Sequence, residues 1–188
     1  SAAPVQAGPL YVFRNVIFGR LNAALKLGYN SGAPSYGPHF LYHNTIYQTD
    51  VVADKGVSTD GGEYLRNAVF RNNIVYSYRY ALYSNIDTPT AGPSYPQQYG
   101  QIMDMDYDIL TQTPSIEYIK LRWGPSTPGG KIEVVYPTLA SFRSATNQEL
   151  RGIEADPLLE DPANGNLRLQ STSPAIDKGV IIPNFNDA

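Results

Sequence analysis

The stretch Phe70-Arg71-Asn72-Asn73-Ile74-Val75 decides the fold, because two earlier segments repeat its pattern of residue types. Each copy reads aromatic, basic, Asn, any residue, Ile, and then an apolar or aromatic residue. The other copies are Phe13-Arg14-Asn15-Val16-Ile17-Phe18 and Tyr42-His43-Asn44-Thr45-Ile46-Tyr47. They begin 29 residues apart, at positions 13 and 42, and the third copy begins 28 residues further on, at position 70. Such a period is typical of proteins built from stacked repeats.

A degenerate fourth copy, Met105-Asp106-Tyr107-Asp108-Ile109-Leu110, follows a loop rich in Pro, Thr, Gly and Tyr between Asn85 and Gln101. The pattern predicts an all-β fold, a right-handed parallel β-helix (solenoid) of about four coils. Residues 11–110 would form the coils of a single domain spanning 1–188, and 111–188 the last coil and a capping tail. Three columns of side chains are expected to stack. They are two inner columns, Ile17, Ile46, Ile74 and Phe13, Tyr42, Phe70, and an asparagine ladder at a bend, Asn15, Asn44, Asn72.

Two other repeat-compatible folds fit the sequence less well. A leucine-rich repeat also places an asparagine at each turn, but its L-x-x-L-x-L spacing is absent. A β-sandwich does not require so regular a spacing of 28 to 29 residues.

The C-terminal third does not repeat and is expected to cap the coils. Residues 138–145 predict a short helix, with Thr138 as its N-cap, Leu139 and Phe142 on one face, and Asn147 at its end. Turns follow at Asp156-Pro157, Asp161-Pro162 and Asn164-Gly165, and residues 167–169 alternate like a half-buried strand.

Composition bounds the function. The 188 residues carry a net charge of −3 and include no cysteine, which excludes disulfides and thiolate chemistry. No basic run suggests a nucleic-acid surface. No apolar stretch approaches the ~18 residues of a membrane span, so membrane insertion is not expected.

Several motifs resemble the right-handed parallel β-helix repeat family, which is related in fold to polysaccharide lyases and glycosidases. Besides the repeats, Asp106-Tyr107-Asp108 resembles a D-Y-N element of that family, with Asp108 in place of the usual Asn. Ala155-Asp156-Pro157-Leu158, Leu167-Arg168-Leu169-Gln170 and Ser173-Pro174-Ala175-Ile176-Asp177-Lys178-Gly179 resemble its C-terminal tail. The resemblance covers roughly residues 11 to 186. It implies a secreted or cell-surface protein that handles polysaccharide, of which this chain is a C-terminal fragment.

Catalytic candidates follow from what a uronate lyase needs, a base and a group that neutralises a carboxylate. Lys26 and Lys55 are candidate bases, and Asp54 is a further catalytic candidate. The carboxylates of Asp50, Asp54, Asp60 and Glu63 are candidate Ca²⁺ ligands, although a loop of Asp and Gly is more often a solvated turn. A glycosidase would need two facing carboxylates, and Asp104, Asp106 and Asp108 alternate along one segment.

Substrate-binding candidates come from the outward positions of the repeats. Phe18 and Tyr47 hold equivalent places one residue past the inward Ile. Arg14, His43 and Arg71 form a basic stripe in the same copies. Together these side chains predict a strip that faces a glycan, although tyrosines also cover sheet faces without binding anything.

Three functions remain open from the sequence. The first is a non-catalytic, carbohydrate-associated portion of a secreted protein. The second is a polysaccharide-degrading enzyme, a uronate lyase or a glycosidase, and the third is a structural or adhesive surface protein. The strand edges of the first coil are expected to be covered by residues 1–10, by another chain or by the rest of a parent protein.

Overall fold

The structure, a computed structural model, describes residues 9–19, 23–27, 38–48, 55–63, 68–87, 103–112, 117–125 and 127–186, with the side chains of residues 59–63, 87 and 112 not described. The protein is mostly β, with several parallel sheets and one short helix. Most of the predicted capping residues 1–10, the predicted loop between Asn85 and Gln101, and the candidate residues Asp50 and Asp54 lie outside these ranges.

Three of the sheets are parallel at every pairing between repeats, and each takes every third strand of the chain. The first sheet contains β1 Leu10–Phe13, β4 His39–Tyr42, β7 Ala68–Arg71 and β10 Met103–Asp106. The second contains β2 Val16–Phe18, β5 Thr45–Tyr47, β8 Ile74–Ser77 and β11 Ile109–Gln112. The third contains β3 Ala23–Lys26, β6 Lys55–Glu63, β9 Tyr80–Asp87, β12 Ile119–Gly124 and the antiparallel β13 Ile132–Tyr136.

The predicted fold, a single right-handed parallel β-helix of about four coils with a cap, is wrong. The strands are divided among separate sheets of four, four, five and two strands, and none of these sheets forms a continuous solenoid. Among the described residues, strand pairing stops at each turn, because the turn sends the chain into a different sheet. The third sheet ends on an antiparallel strand and the fourth is an antiparallel pair, so the parallel pattern is not kept to the end.

The third repeat pairs with the second one residue further along the chain than the predicted alignment places it. Tyr42 pairs with Arg71, and Leu41 pairs with Phe70. Because side chains alternate between the faces of a strand, a shift of one residue exchanges inside and outside. Phe70 is therefore 2% exposed, whereas Phe13, its predicted equivalent, is 46% exposed and faces outward.

The inner columns follow the observed register. In the first sheet the column is Val12, Leu41, Phe70 and Met105, and in the second it is Ile17, Ile46, Val75 and Leu110. The third sheet contributes Leu25, Val57, Leu82 and Ile119. These side chains form one apolar cluster between the three sheets, and they replace the predicted inner residues Phe13, Tyr42 and Ile74.

An asparagine ladder crosses the turn between the first and second sheets. The Asn15 side chain donates to Asn44 Oδ1 at 3.0 Å, and the Asn44 side chain donates to Asn73 Oδ1 at 2.8 Å. The Asn73 side chain in turn donates to Asp108 Oδ1 at 2.8 Å. The third ladder residue is thus Asn73, and the predicted Asn72 lies one residue earlier, in the left-handed region at φ 61.

The C-terminal third contains the predicted helix. α1 spans Leu139–Thr146, Thr138 caps its N-terminus and Asn147 ends it in the left-handed conformation, as predicted. Leu139 and Phe142 are buried in the core cluster. The following chain forms the antiparallel pair β14 Leu159–Asp161 and β15 Asn166–Leu169, joined by a 3-10 turn.

The C-terminal tail, residues 180–185, packs back against the repeats. The Asn72 side chain holds the backbone of Val180 through two hydrogen bonds, at 2.7 and 2.8 Å. Phe185 packs its ring against Tyr11, Phe13 and Tyr42, with centroids 5.1–5.4 Å apart. This tail therefore connects the third repeat to the first.

Candidate functional site

A column of aromatic rings stands on the outer face of the second sheet. Phe18, Tyr47 and Tyr76 occupy the same register position in β2, β5 and β8. Their rings stack, with centroids 6.2 Å apart for the first pair and 4.9 Å for the second. Parallel strands in register place such side chains one strand spacing apart, which is why the rings meet.

The sequence predicted two members of this column and missed Tyr76. The misaligned third copy placed Val75 at the outward position, although Val75 belongs to the inner column. The constant step from Phe18 to Tyr47 to Tyr76 was the signal that would have found it.

The C-terminal strand pair faces this column across a groove of about 260 Å³. The groove is lined by two of the column's rings and by the pair and its approach, namely Tyr47, Tyr76, Asp156, Leu158, Leu159, Pro162 and Gln170. The far wall is internally braced, since Gln170 Nε2 donates to the Leu159 carbonyl at 2.9 Å and Leu158 N–H donates to Asp156 Oδ1 at 2.8 Å. This wall is therefore stabilised by hydrogen bonds of its own.

The polar groups of the groove favour an uncharged, hydroxyl-rich ligand. Burial raises the pKa of the Tyr76 phenol, and the neighbouring Tyr47 and Asp156 raise it further. The phenol therefore stays protonated and can donate a hydrogen bond. Among the described lining residues Asp156 is the only carboxylate, so these residues do not supply the pair of carboxylates that glycoside hydrolysis uses.

The predicted basic stripe does not line the groove. Arg14 Nη2 donates to the Phe185 carbonyl at 2.6 Å, and so holds the tail. Arg71 Nη1 donates to the carbonyls of Phe70 and Asp104, and Arg71 Nη2 pairs with Asp104 Oδ1 at 2.8 Å. His43 lies at the turn before β5, where it lines a second cavity of about 280 Å³.

The candidate bases lie on the third sheet, away from the aromatic column. Lys26 is exposed at the end of β3, and Lys55 begins β6 with its Nζ 4.5 Å above the Tyr83 ring. Lys26 pairs with Ser58, three residues after Lys55, which separates the two lysines by about 10 Å along the strand direction. Asp54 lies outside the described residues.

The candidate Ca²⁺ ligands are only partly described. Asp60 and Glu63 belong to β6, but their side chains are not described, and Asp50 and Asp54 fall outside the described ranges. The described part of the chain contains no group of three or more side chains of the kind that hold a metal. It also contains no helix long and apolar enough to cross a membrane.

The three alternating carboxylates have three different surroundings. Asp104 pairs with Arg71, and Asp106 pairs with Arg151 at 2.7 Å. Asp108 lies beyond the turn, buried as the fourth member of the ladder. They therefore do not form the facing pair that a glycosidase needs.

Comparison of the chain with models of protein families, with curated proteins and with solved structures finds no match. The family resemblance therefore stays a prediction that rests on the quoted motifs.

Proposed function

We propose that this chain is the carbohydrate-binding portion of a secreted or cell-surface protein and is not catalytic on its own. The observation that carries the proposal is the groove in which Tyr47 and Tyr76 face Asp156 and Gln170. The two tyrosine phenols, together with a carboxylate and an amide, offer several hydrogen-bonding groups that match the polar rim of a pyranose ring. The volume, about 260 Å³, lies just below the range of about 300–1,000 Å³ for ligand sites and suits one sugar unit of a longer chain.

The charge of the groove favours neutral sugars or amino sugars over uronates. Its described lining has one carboxylate and no cation. A uronate carboxylate would lie close to Asp156 with no opposite charge among these residues, which is unfavourable. An ammonium group of an amino sugar would instead pair with Asp156.

Binding to a panel of soluble polysaccharides tests the proposal. The panel contains a neutral β-glucan, a partly deacetylated chitin and a polygalacturonate, each with and without Ca²⁺. We expect binding to the first two without cleavage. Tyr76→Ala should weaken this binding about tenfold, which corresponds to about 1.4 kcal/mol.

Two further variants separate the contributions of the groove. Tyr76→Phe keeps the ring and removes only the hydroxyl, so it should retain most of the binding. Tyr11→Leu removes an aromatic side chain of the first sheet and should leave binding unchanged. Failure to bind any polysaccharide, or equal losses in Tyr76→Ala and Tyr11→Leu, would contradict the groove as the site. Release of unsaturated uronide from polygalacturonate would instead establish a lyase.

We further propose that a second copy of this chain covers the first repeat. β1, β2 and β3 each pair on one side only among the described strands. Leu10, Tyr11, Phe13 and Val16 are exposed there. Unpaired edges with apolar side chains are sites of strand addition. Light scattering of the isolated chain should show association that Val16→Lys reduces, and a monomer at every concentration would contradict self-association.

A further inference from the structure

Two buried carboxyl groups meet at the end of the asparagine ladder. Asp108 is 1% exposed and Glu149 is 0% exposed. Asp108 Oδ1 accepts from the Asn73 backbone at 2.6 Å and from the Asn73 side chain at 2.8 Å. Glu149 Oε2 accepts from the Asp108 backbone N–H at 3.3 Å. The other two oxygens, Asp108 Oδ2 and Glu149 Oε1, are buried without any hydrogen-bond donor.

Burying two ionised carboxylates side by side here would cost a large amount of free energy. Buried like charges repel strongly, and each oxygen without a donor loses its solvation without compensation. One proton between the two groups removes both problems, because a protonated carboxyl donates to the carboxylate beside it. Burial raises the pKa of Asp108 to about 6, and burial together with Asp108 raises the pKa of Glu149 well above its ordinary value.

The charged groups around the pair do not neutralise it. Arg71 favours the charge on Asp108, and Asp106 disfavours the charge on Glu149. Arg143 is close, but its Nε donates to the Glu149 backbone carbonyl at 2.6 Å. Arg151 pairs with Asp106 instead.

We propose that Asp108 and Glu149 share one proton at neutral pH and that this proton fastens the segment 148–153 to the fourth repeat. Glu149 carries the proton, since Asp108 keeps its two bonds from Asn73. The same segment is held by Glu149 N–H to the Met105 carbonyl at 2.7 Å and by Ile153 N–H to the Asp108 carbonyl at 2.9 Å. Loss of the shared proton at alkaline pH would weaken the attachment of the segment 148–153, which links α1 to the C-terminal strand pair.

The sign of the pH effect follows from the raised pKa values. The unfolded chain releases the Glu149 proton near the ordinary value of 4.5, whereas the folded chain keeps it to a higher pH. Stability from this proton is complete below that ordinary value and is lost as the pH rises through the folded value. Inside this window the unfolding equilibrium constant should rise about tenfold per pH unit, or about 1.4 kcal/mol.

Urea unfolding of the whole chain from about pH 5 to about pH 8 tests the proposal. Glu149→Gln places a permanent donor beside Asp108, and Asp108→Asn places one beside Glu149. The ratio of wild-type to variant unfolding constants should therefore rise with pH for both variants. Glu160→Gln, a control that makes the same chemical change at an exposed carboxylate of β14, should leave the ratio constant.

A constant ratio for Glu149→Gln across this range would overturn the proposal. If the variants fail to fold, carbon-13 spectra of the wild-type protein labelled at glutamate carboxyls decide the question. One glutamate should remain protonated at neutral pH. Full ionisation of every glutamate at that pH would also overturn the shared proton.

Discussion

Replacement of Asn73 by alanine removes the ladder member whose four side-chain hydrogen bonds are all buried. Asn73 Nδ2 donates to the Leu41 carbonyl at 2.9 Å and to Asp108 at 2.8 Å. Its Oδ1 accepts from the Asn44 backbone N–H at 3.1 Å and from the Asn44 side chain at 2.8 Å. All four contacts are buried, so water cannot replace them without entering the core.

The expected cost follows from the groups left behind. Alanine leaves the Asn44 N–H without its acceptor and removes a donor from the Leu41 carbonyl. A buried polar group that loses its partner costs about 1–3 kcal/mol. We therefore expect Asn73→Ala to lower the free energy of unfolding by about 3–5 kcal/mol and the melting temperature by about 10 °C. Urea unfolding and calorimetry measure the two quantities.

The neighbouring residue provides the control. Asn72 holds only the tail backbone at Val180, and it is half-buried. Asn72→Gly keeps the positive φ accessible and leaves groups that water can reach, so it should cost about 1 kcal/mol. An equal or larger loss for Asn72→Gly than for Asn73→Ala would refute the observed register of the ladder.

Two core substitutions test the packing. Phe142→Ala should lower the free energy of unfolding in urea by about 3–5 kcal/mol, because Phe142 is 0% exposed and its ring meets Tyr136 edge-on. A loss under ~1 kcal/mol would mean that α1 is not packed as described. Gly56→Ala should lower the free energy of unfolding by about 1–3 kcal/mol, because the added Cβ would lie 2.4 Å from Val75 Cγ1. An unchanged midpoint of urea unfolding would show that β6 and β8 can separate freely.

The repeat pattern predicted the strand positions better than it predicted their pairing. The copies at Phe13, Tyr42 and Phe70 all fall at or beside the first turn of a repeat. The third copy contains two adjacent asparagines, Asn72 and Asn73, and either can be aligned with Asn44. The residue types alone do not decide between these two asparagines, because the ladder position belongs to the one whose side chain reaches the buried amide of Asn44.

Prediction of the groove would have required knowledge of long-range contacts, which no local sequence pattern contains. Tyr47 belongs to the second repeat and Asp156 to the C-terminal segment, and only the folded chain places them on one cavity. The sequence predicted the outward position of Tyr47 but paired it with Arg14, His43 and Arg71. Of these, Arg14 and Arg71 hold backbone carbonyls of the fold itself.

The role of Arg71 follows from the change of residue type at Asp108. Asn44 and Asn73 each donate a side-chain hydrogen bond to a carbonyl of the first sheet, at Val12 and Leu41. The next carbonyl in that column is Phe70, and a carboxylate at Asp108 has no proton to offer it. Arg71 Nη1 donates to the Phe70 carbonyl at 2.7 Å instead. Its charge also favours the ionised form of Asp108. Arg71 therefore supplies the hydrogen bond that an amide would donate, and its charge offsets the charge of the Asp108 carboxylate.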